Sequence, residues 1–120
     1  MKIYKSAEDY LESILIIQNE KGKVISLDIA KQFNYSKASV SRAVKNLRLD
    51  GYILVNDNGV ITLTDKGKEI AEKIYDRHIT LTNFFIKIGV DEKTAEDDAC
   101  KIEHDISDET FAALKKVVNK

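Results

Sequence analysis

The chain has 120 residues, of which 43% are hydrophobic and 32% charged, the composition of a globular protein of one compact unit or two very small ones. One cysteine excludes a disulfide framework, and the absence of a long apolar run or a signal-peptide pattern excludes membrane insertion and predicts a cytoplasmic protein. Residues 1–50 hold nine basic and six acidic side chains, whereas residues 51–120 hold ten and fourteen, which suggests a polyanion-binding part and a cation-binding part.

The first predicted element is a helix from Ser6 to about Glu20. Ser6 followed three residues later by Asp9 is the pattern of a capping box, and a broad apolar stripe follows it. Asp9 and Glu12 are three residues apart and therefore share one face of this helix. From these residues alone, Asp9 could serve as a cap and Glu12 as a solvated carboxylate, or both could bind a cation.

The next two elements follow a helix-turn-helix pattern. A short helix is expected to begin with Ser26 as its N-cap, and Asn34 predicts a turn because Asn tolerates left-handed dihedrals. Ser36 is expected to cap a third helix that runs to about Asp50, with apolar residues at helical spacing on one face. Its other face is basic and polar, and we expect DNA contacts there from Lys37, Ser39, Ser41, Arg42 and Lys45.

A β-hairpin is predicted directly after the third helix. Two β-rich runs, 52–55 and 60–63, flank Asp57-Asn58-Gly59, and an Asn-Gly pair suits turns that need positive φ. A helix-turn-helix followed at once by a hairpin is typical of a winged helix. This order and the basic charge favour DNA binding over a small α+β domain of unrelated role.

Three further helices are predicted after the hairpin. Their expected N-caps are Thr64, Asp91 and Ser107. The first of the three helices is expected to run to about Lys87, with Gly67 as a tolerated weak point. This is more chain than a DNA-binding unit needs, and it predicts a dimerisation and sensor module. We therefore expect residues 1–63 to form the DNA-binding domain and residues 64–120 the helical metal-binding and dimerisation domain.

Residues 97–104 carry the strongest chemical signal, since they include the single cysteine and one of the two histidines. In a helix, Cys100, Glu103 and His104 would share one face and present sulfur, oxygen and nitrogen, three ligand types for transition metals. The alternative is a buried structural cysteine beside a solvated acidic face. His78, in the middle of the long helix, is on its own more typical of a surface histidine or a satisfied core histidine.

These features resemble the diphtheria toxin repressor and manganese transport regulator family of metal-dependent bacterial repressors. The resemblance runs from about Tyr4 to the end, and the Arg77-His78 pair supports it. Four stretches carry it: Glu8-Asp9-Tyr10-Leu11-Glu12, the helix-turn-helix with Val40-Ser41, Leu63-Thr64-x-x-Gly67-Lys68, and Ala99-Cys100-x-x-Glu103-His104 with Ser107-Asp108-Glu109. It implies a homodimer that binds a palindromic operator in double-stranded DNA, with a divalent metal as corepressor, and control of metal-uptake genes.

The family's ligand positions map onto residues of this chain. The resemblance implies one metal site of Asp9, Cys100, Glu103 and His104, and a second site with Glu12 and His78 that Glu103 could bridge. Asp9 matches the manganese branch, whereas Cys100 matches the iron branch. Because a thiolate favours Fe²⁺, Co²⁺, Ni²⁺ or Zn²⁺ and carboxylates suit Mn²⁺, we expect Fe²⁺ first and Mn²⁺ close behind.

Two other functions are compatible with the residues. One is a winged-helix regulator without metal control. The other is a small metal-dependent or thiol-dependent enzyme in which Cys100 and His104, four residues apart, act as nucleophile and base. Because the sequence shows no oxyanion device and no glycine-rich loop, we predict a repressor and not an enzyme.

Overall fold

A computed structural model describes residues 5–119. The described part contains six helices and a two-stranded sheet: α1 (Lys5–Lys21), α2 (Ser26–Phe33), α3 (Lys37–Leu49), β1 (Ile53–Val55), β2 (Ile61–Leu63), α4 (Asp65–Lys87), α5 (Glu92–Ile102) and α6 (Asp108–Val118). The mostly α fold and the winged helix-turn-helix with its two-stranded wing are confirmed. Tyr4, where the family resemblance begins, lies outside the described residues. In the described part, no helix is long and apolar enough to cross a membrane.

The chain divides into two compact units that meet between Glu72 and Lys73, within α4. The core of the first unit is aliphatic, with Leu11 and Ile14 from α1, Val40 from α3 and Ile53 from β1 all fully buried. Helix α1 contacts α2, α3 and β2, so it forms the centre of this unit. The buried side of α3 leaves its basic residues on the outside.

The wing is an antiparallel hairpin in which Ile53 pairs with Leu63 and Val55 with Ile61. Its turn uses positive φ at Gly59, at 79°. The side chain of Asn56 completes the turn, because its Oδ1 accepts the N–H groups of Asn58 and Val60, both at 2.9 Å. The expected hairpin is therefore correct, but a residue just before the predicted turn signal closes it.

Two predicted helix caps are wrong. Helix α1 is already formed at Lys5, so Ser6 lies inside it and cannot be the N-cap residue. Helix α2 has Ile25 at the N-cap position, and the N–H of Ile25 donates to Asp28 Oδ2 at 3.0 Å. The caps Ser36, Asp91 and Ser107 are confirmed, since their side chains accept the N–H groups of Ser39, Lys93 and Thr110.

Gly67 is a required residue and not merely a tolerated one. A Cβ at this position would overlap the carbonyl oxygen of Tyr52 and lie 3.0 Å from its carbonyl carbon. Gly67 lies close to Tyr52 because Thr64 forms hydrogen bonds both to the start of α4 and to the segment before β1. Its Oγ1 accepts the Gly67 N–H at 3.2 Å and donates to the carbonyl of Gly51 at 2.8 Å, which confirms Thr64 as a cap.

The second unit is formed by the rest of α4 together with α5 and α6. An ion pair joins α6 to α4, with Lys115 Nζ 2.7 Å from Asp76 Oδ2. Helix α5 ends at Ile102, earlier than the pattern predicted. Glu103 is its C-cap and keeps a right-handed conformation, whereas His104 lies in the turn that follows. Only part of the stretch that was expected to be helical is therefore in a helix.

Candidate metal centre and DNA-binding surface

The second unit contains a fully buried carboxylate. The side chain of Glu103 is 0% exposed, and its Oε2 is 2.9 Å from Nδ1 of His78 on α4. Its other oxygen, Oε1, is 3.4 Å from Nε2 of His104, whose side chain is 2% exposed. One carboxylate therefore lies between two imidazoles that are far apart in the sequence.

Each of these three side chains is positioned by a different local feature. His78 comes from the middle of α4, which is a continuous helix across both units. Glu103 still donates its N–H to the carbonyl of Ala99 at 3.0 Å, so it continues the last turn of α5. His104 follows in a turn that Ser107 ends by capping α6. The turn between α5 and α6 thus carries two of the predicted ligands in succession.

This arrangement fits a divalent transition metal. A buried carboxylate is costly unless charge or hydrogen bonds compensate it, and Oε1 of Glu103 accepts no hydrogen bond from the described residues. Imidazole nitrogen and carboxylate oxygen are together a donor set for Mn²⁺, Fe²⁺ or Zn²⁺. Because the ring of His78 contacts this carboxylate, the interpretation as an ordinary surface histidine is not supported, whereas a satisfied core histidine is compatible with the contact.

Cys100 occupies a different environment from the other predicted ligands of this unit. It lies on α5 one turn before Glu103, and it is exposed. The alternative of a buried structural cysteine is therefore wrong, whereas the expected solvated acidic face is present, since Asp97 and Asp98 are exposed. The place of Cys100 in a metal site stays a prediction.

The other two predicted ligands, Asp9 and Glu12, lie on α1 in the first unit. Glu12 is 8% exposed, so it is not the solvated carboxylate of the alternative interpretation. Asp9 is half-buried, and its main-chain carbonyl accepts the hydroxyl of Ser13 at 2.7 Å. Because Ser6 is inside the helix, the capping box that would have explained Asp9 does not form. Their roles as ligands stay predictions.

Arg77 supports the family resemblance, but its position in the sequence does not indicate a function. The structure buries it, with its guanidinium at the turn between α5 and α6. Its Nη2 donates to Asp108 Oδ1 at the start of α6. Lys73 and Arg77 together hold the pKa of Asp108 below its usual range, so this carboxylate is ionised at neutral pH. Only the position of Arg77 beside His78 could have indicated it in advance.

The outer face of α3 presents the predicted DNA-contacting residues. Ser39 is half-buried. The other four residues are exposed, namely Lys37, Ser41, Arg42 and Lys45. The hydroxyl of Ser36 donates to Ser39 Oγ at 2.8 Å, and Arg42 Nη2 donates to the same oxygen at 3.4 Å. The cap of the helix and the arginine are therefore linked through one serine.

The turn before α3 is fastened to α1 by aromatic side chains. The ring of Tyr35 lies 4.8 Å from that of Tyr10 and 6.4 Å from that of Phe33. Burial raises the pKa of the Tyr10 hydroxyl, although the nearby positive charge of Arg42 acts in the opposite direction. Helix α1, which carries Asp9 and Glu12, thus packs through Tyr10 against the turn that leads into α3.

Comparison with known proteins gives matches along nearly the whole chain. Residues 2–60 match the family model of the iron dependent repressor N-terminal DNA binding domain, and residues 64–120 match that of the iron dependent repressor metal binding and dimerisation domain. An uncharacterised HTH-type transcriptional regulator of Methanocaldococcus jannaschii is 41% identical over 118 residues, which cover 97% of this chain and 94% of the relative.

Solved structures of metal-responsive regulators are also similar. The manganese regulator SloR matches with a TM-score of 0.83 and 28% identity, over 99% of this chain and 55% of that one. A manganese-dependent transcriptional repressor in complex with manganese matches with a TM-score of 0.84 and 29% identity, over 94% of this chain and 52% of that one. This chain spans about half the length of these solved proteins.

Proposed function

This chain belongs to the iron-dependent repressor family, and we propose that it is a metal-dependent transcriptional repressor with Fe²⁺ or Mn²⁺ as corepressor. The observation that carries the proposal is the buried Glu103 between His78 and His104. It lies in the part of the chain that matches the metal binding and dimerisation domain of the family. A regulator without metal control would have no reason to keep this carboxylate buried without full hydrogen bonding.

The proposed ligands form two sets. The first is Asp9, Cys100, Glu103 and His104, and the second is Glu12, His78 and the shared Glu103. The donor types support a first-row divalent cation, which would supply the positive charge that balances these carboxylates. Without that charge, the carboxylates of a proposed set would repel one another and would favour a looser arrangement of the chain. Cys100 would add thiolate sulfur and shift the preference toward Fe²⁺.

We propose that helix α3 reads the operator. Arg42, held by Ser39, would contact a guanine edge, and Lys37 and Lys45 would contact phosphates. In the proposed division, residues 1–63 bind DNA and residues 64–120 bind metal and form a homodimer. A two-fold dimer presents two copies of α3, which matches a palindromic operator in double-stranded DNA.

The remaining parts of the proposal follow from the regulatory family. We propose no catalytic role, because both halves of the chain match a family of transcriptional repressors. A repressor acts where its operator is, so the proposed location is the cytoplasm. Genes for metal uptake are the proposed targets, since a metal that serves as corepressor would then limit its own entry.

The test is DNA affinity measured with and without each metal. A random double-stranded library would first be enriched on the protein in the presence of Mn²⁺. Fluorescence anisotropy on the enriched sequence would then be measured with EDTA, Mn²⁺, Co²⁺, Zn²⁺ and, anaerobically, Fe²⁺. We expect at least one metal to tighten binding by about 5–150-fold, the usual range of allosteric coupling. His104→Ala should remove this stimulation and leave the dimer folded.

The contrary results are distinct. Equal affinity with metal and with EDTA would identify a winged-helix regulator without metal control. Failure to enrich any sequence under all conditions would contradict the assignment of α3 as the recognition helix.

A further inference from the structure

Arg77 is a buried arginine that belongs to neither the proposed ligands nor the proposed DNA contacts. Its side chain is 6% exposed. Its Nη1 donates two hydrogen bonds, to the carbonyl of Glu103 at 3.1 Å and to the carbonyl of Ile106 at 2.7 Å. Its Nη2 donates to the carboxylate of Asp108. One guanidinium therefore contacts both ends of the turn that connects α5 to α6.

The contacts of Arg77 and His78 meet on the same residue. Arg77 binds the main-chain carbonyl of Glu103, and His78, its neighbour on α4, contacts the side-chain carboxylate of Glu103 at 2.9 Å. Both contacts with Glu103 are therefore made by residues of the same helix. The backbone and the carboxylate of Glu103 are thus fixed relative to α4 by consecutive residues, and His104, the next residue, takes its position from the same turn.

An arginine suits this position better than a lysine. Its planar fork presents several N–H donors in a fixed geometry, so it can bind two carbonyls and a carboxylate at once. The ring of Phe111 lies 5.3 Å from the guanidinium and covers it. The negative charge of Asp108 compensates a buried cation that would otherwise be costly. The cluster therefore has the features of a rigid support for the turn.

We propose that Arg77 is a positioning residue of the metal centre: it holds the turn that carries Glu103 and His104 and thereby sets metal affinity and coordination geometry. This inference rests on the proposed function, because it assumes that these two residues bind metal. Residues that orient metal ligands typically change metal affinity by about 10–100-fold when they are mutated.

The test compares Arg77→Lys with Asp76→Asn on the full chain. Arg77→Lys keeps the positive charge but replaces the planar fork with one ammonium group, which does not reproduce the fixed positions of the arginine donors. Asp76→Asn is the matched control. It removes the Lys115–Asp76 ion pair between α4 and α6, and this ion pair does not include a residue of the turn between α5 and α6. Co²⁺ would be titrated into each protein and followed through its visible absorption bands, with thermal unfolding measured in parallel.

We expect Arg77→Lys to weaken Co²⁺ binding by about 10–100-fold and to alter the absorption bands, which report coordination geometry. Amide exchange of residues 103–107 without metal should be faster in this variant. Asp76→Asn should keep the affinity and the bands of the original protein. If Arg77→Lys does not fold, Asp108→Ala serves instead, since it removes one of the three contacts of Arg77 and should give a smaller loss in the same direction.

Several results would overturn the inference. Unchanged Co²⁺ affinity and bands in Arg77→Lys would do so, and so would an equal loss in Asp76→Asn, which would indicate general loosening of the helices. A lack of Co²⁺ binding by the unmodified protein would instead contradict the proposed metal site itself. The two failures are therefore distinguishable.

Discussion

Replacement of Gly67 by alanine gives a sharp test of how the DNA-binding unit is assembled. By helix propensity alone, Gly→Ala inside α4 should stabilise the protein by about 1 kcal/mol. The structure predicts the opposite. A Cβ at Gly67 would overlap the carbonyl oxygen of Tyr52 and lie 3.0 Å and 3.3 Å from its carbonyl carbon and its Cα.

The expected loss of stability can be estimated from the displacement of the backbone that an added Cβ would require. Relief of the overlap requires a displacement on the order of 1 Å, because carbon atoms pack best at about 3.5–4.0 Å. Overpacking of this kind costs about 1–3 kcal/mol. The same displacement weakens the hydrogen bond from Thr64 N–H to the Tyr52 carbonyl, at 3.1 Å, and that from Thr64 Oγ1 to Gly51, at 2.8 Å. Each contributes about 0.5–1.5 kcal/mol. After subtraction of the gain of about 1 kcal/mol in helix propensity, we expect a net loss of about 1–5 kcal/mol.

Thermal and urea unfolding at matched protein concentration would measure this loss, which corresponds to a shift in Tm on the order of 10 °C. Gly51→Asn is the control, since Gly51 has φ of 83° with no atom near its would-be Cβ and Asn tolerates left-handed dihedrals. It should cost less than about 1 kcal/mol. A Gly67→Ala protein that is more stable than the original would refute the close-approach reasoning.

Three further predictions concern DNA contact, assembly and pH. Arg42→Ala should relax sequence preference by about 1–3 kcal/mol at one base pair, whereas Lys45→Ala should weaken binding evenly and flatten its salt dependence, as anisotropy on matched and mismatched operators would show. Light scattering should find a dimer at micromolar concentration, and a monomer both with and without metal would count against the proposed assembly. A hydrogen bond from Lys21 lowers the pKa of Asp28, so the stability from this carboxylate is present above about pH 4, the usual pKa of Asp, and is lost as pH falls through the lowered value. Acid unfolding of Asp28→Asn should therefore converge with that of the original protein at low pH and differ from it at pH 7.

Local signals in the sequence predicted most of the secondary structure. The side-chain oxygens of the helix caps Ser36, Asp91 and Ser107 accept main-chain N–H groups in the first turn of the helix that follows each cap. Such caps depend only on neighbouring residues, so the local sequence is enough to locate them. The capping pattern did not hold for Ser6, because Lys5 before it is already helical. A serine with an acid three residues later is also compatible with the interior of a helix, and the pattern cannot distinguish the two cases.

Features that depend on distant parts of the chain were not predictable in this way. The need for Gly67 arises from the backbone of Tyr52, fifteen positions earlier, and helix propensity gives no hint of it. The contacts of Arg77 are with residues 26 to 31 positions further along the chain. Glu103 was expected on a helix face, and its full burial between two histidines depends on how α4 packs against the end of α5.

The central claim is that metal bound through Asp9 on α1 and through Glu103 and His104 controls DNA affinity. The most direct test is the metal-dependent DNA affinity of Asp9→Ala, with thermal unfolding of the same protein as the control for folding. The claim predicts that Asp9→Ala stays folded and loses the stimulation by Mn²⁺ or Fe²⁺, as His104→Ala does. Full stimulation in Asp9→Ala together with its loss in His104→Ala would contradict the claim, since it would restrict the metal site to the second unit and leave α1 out of the switch.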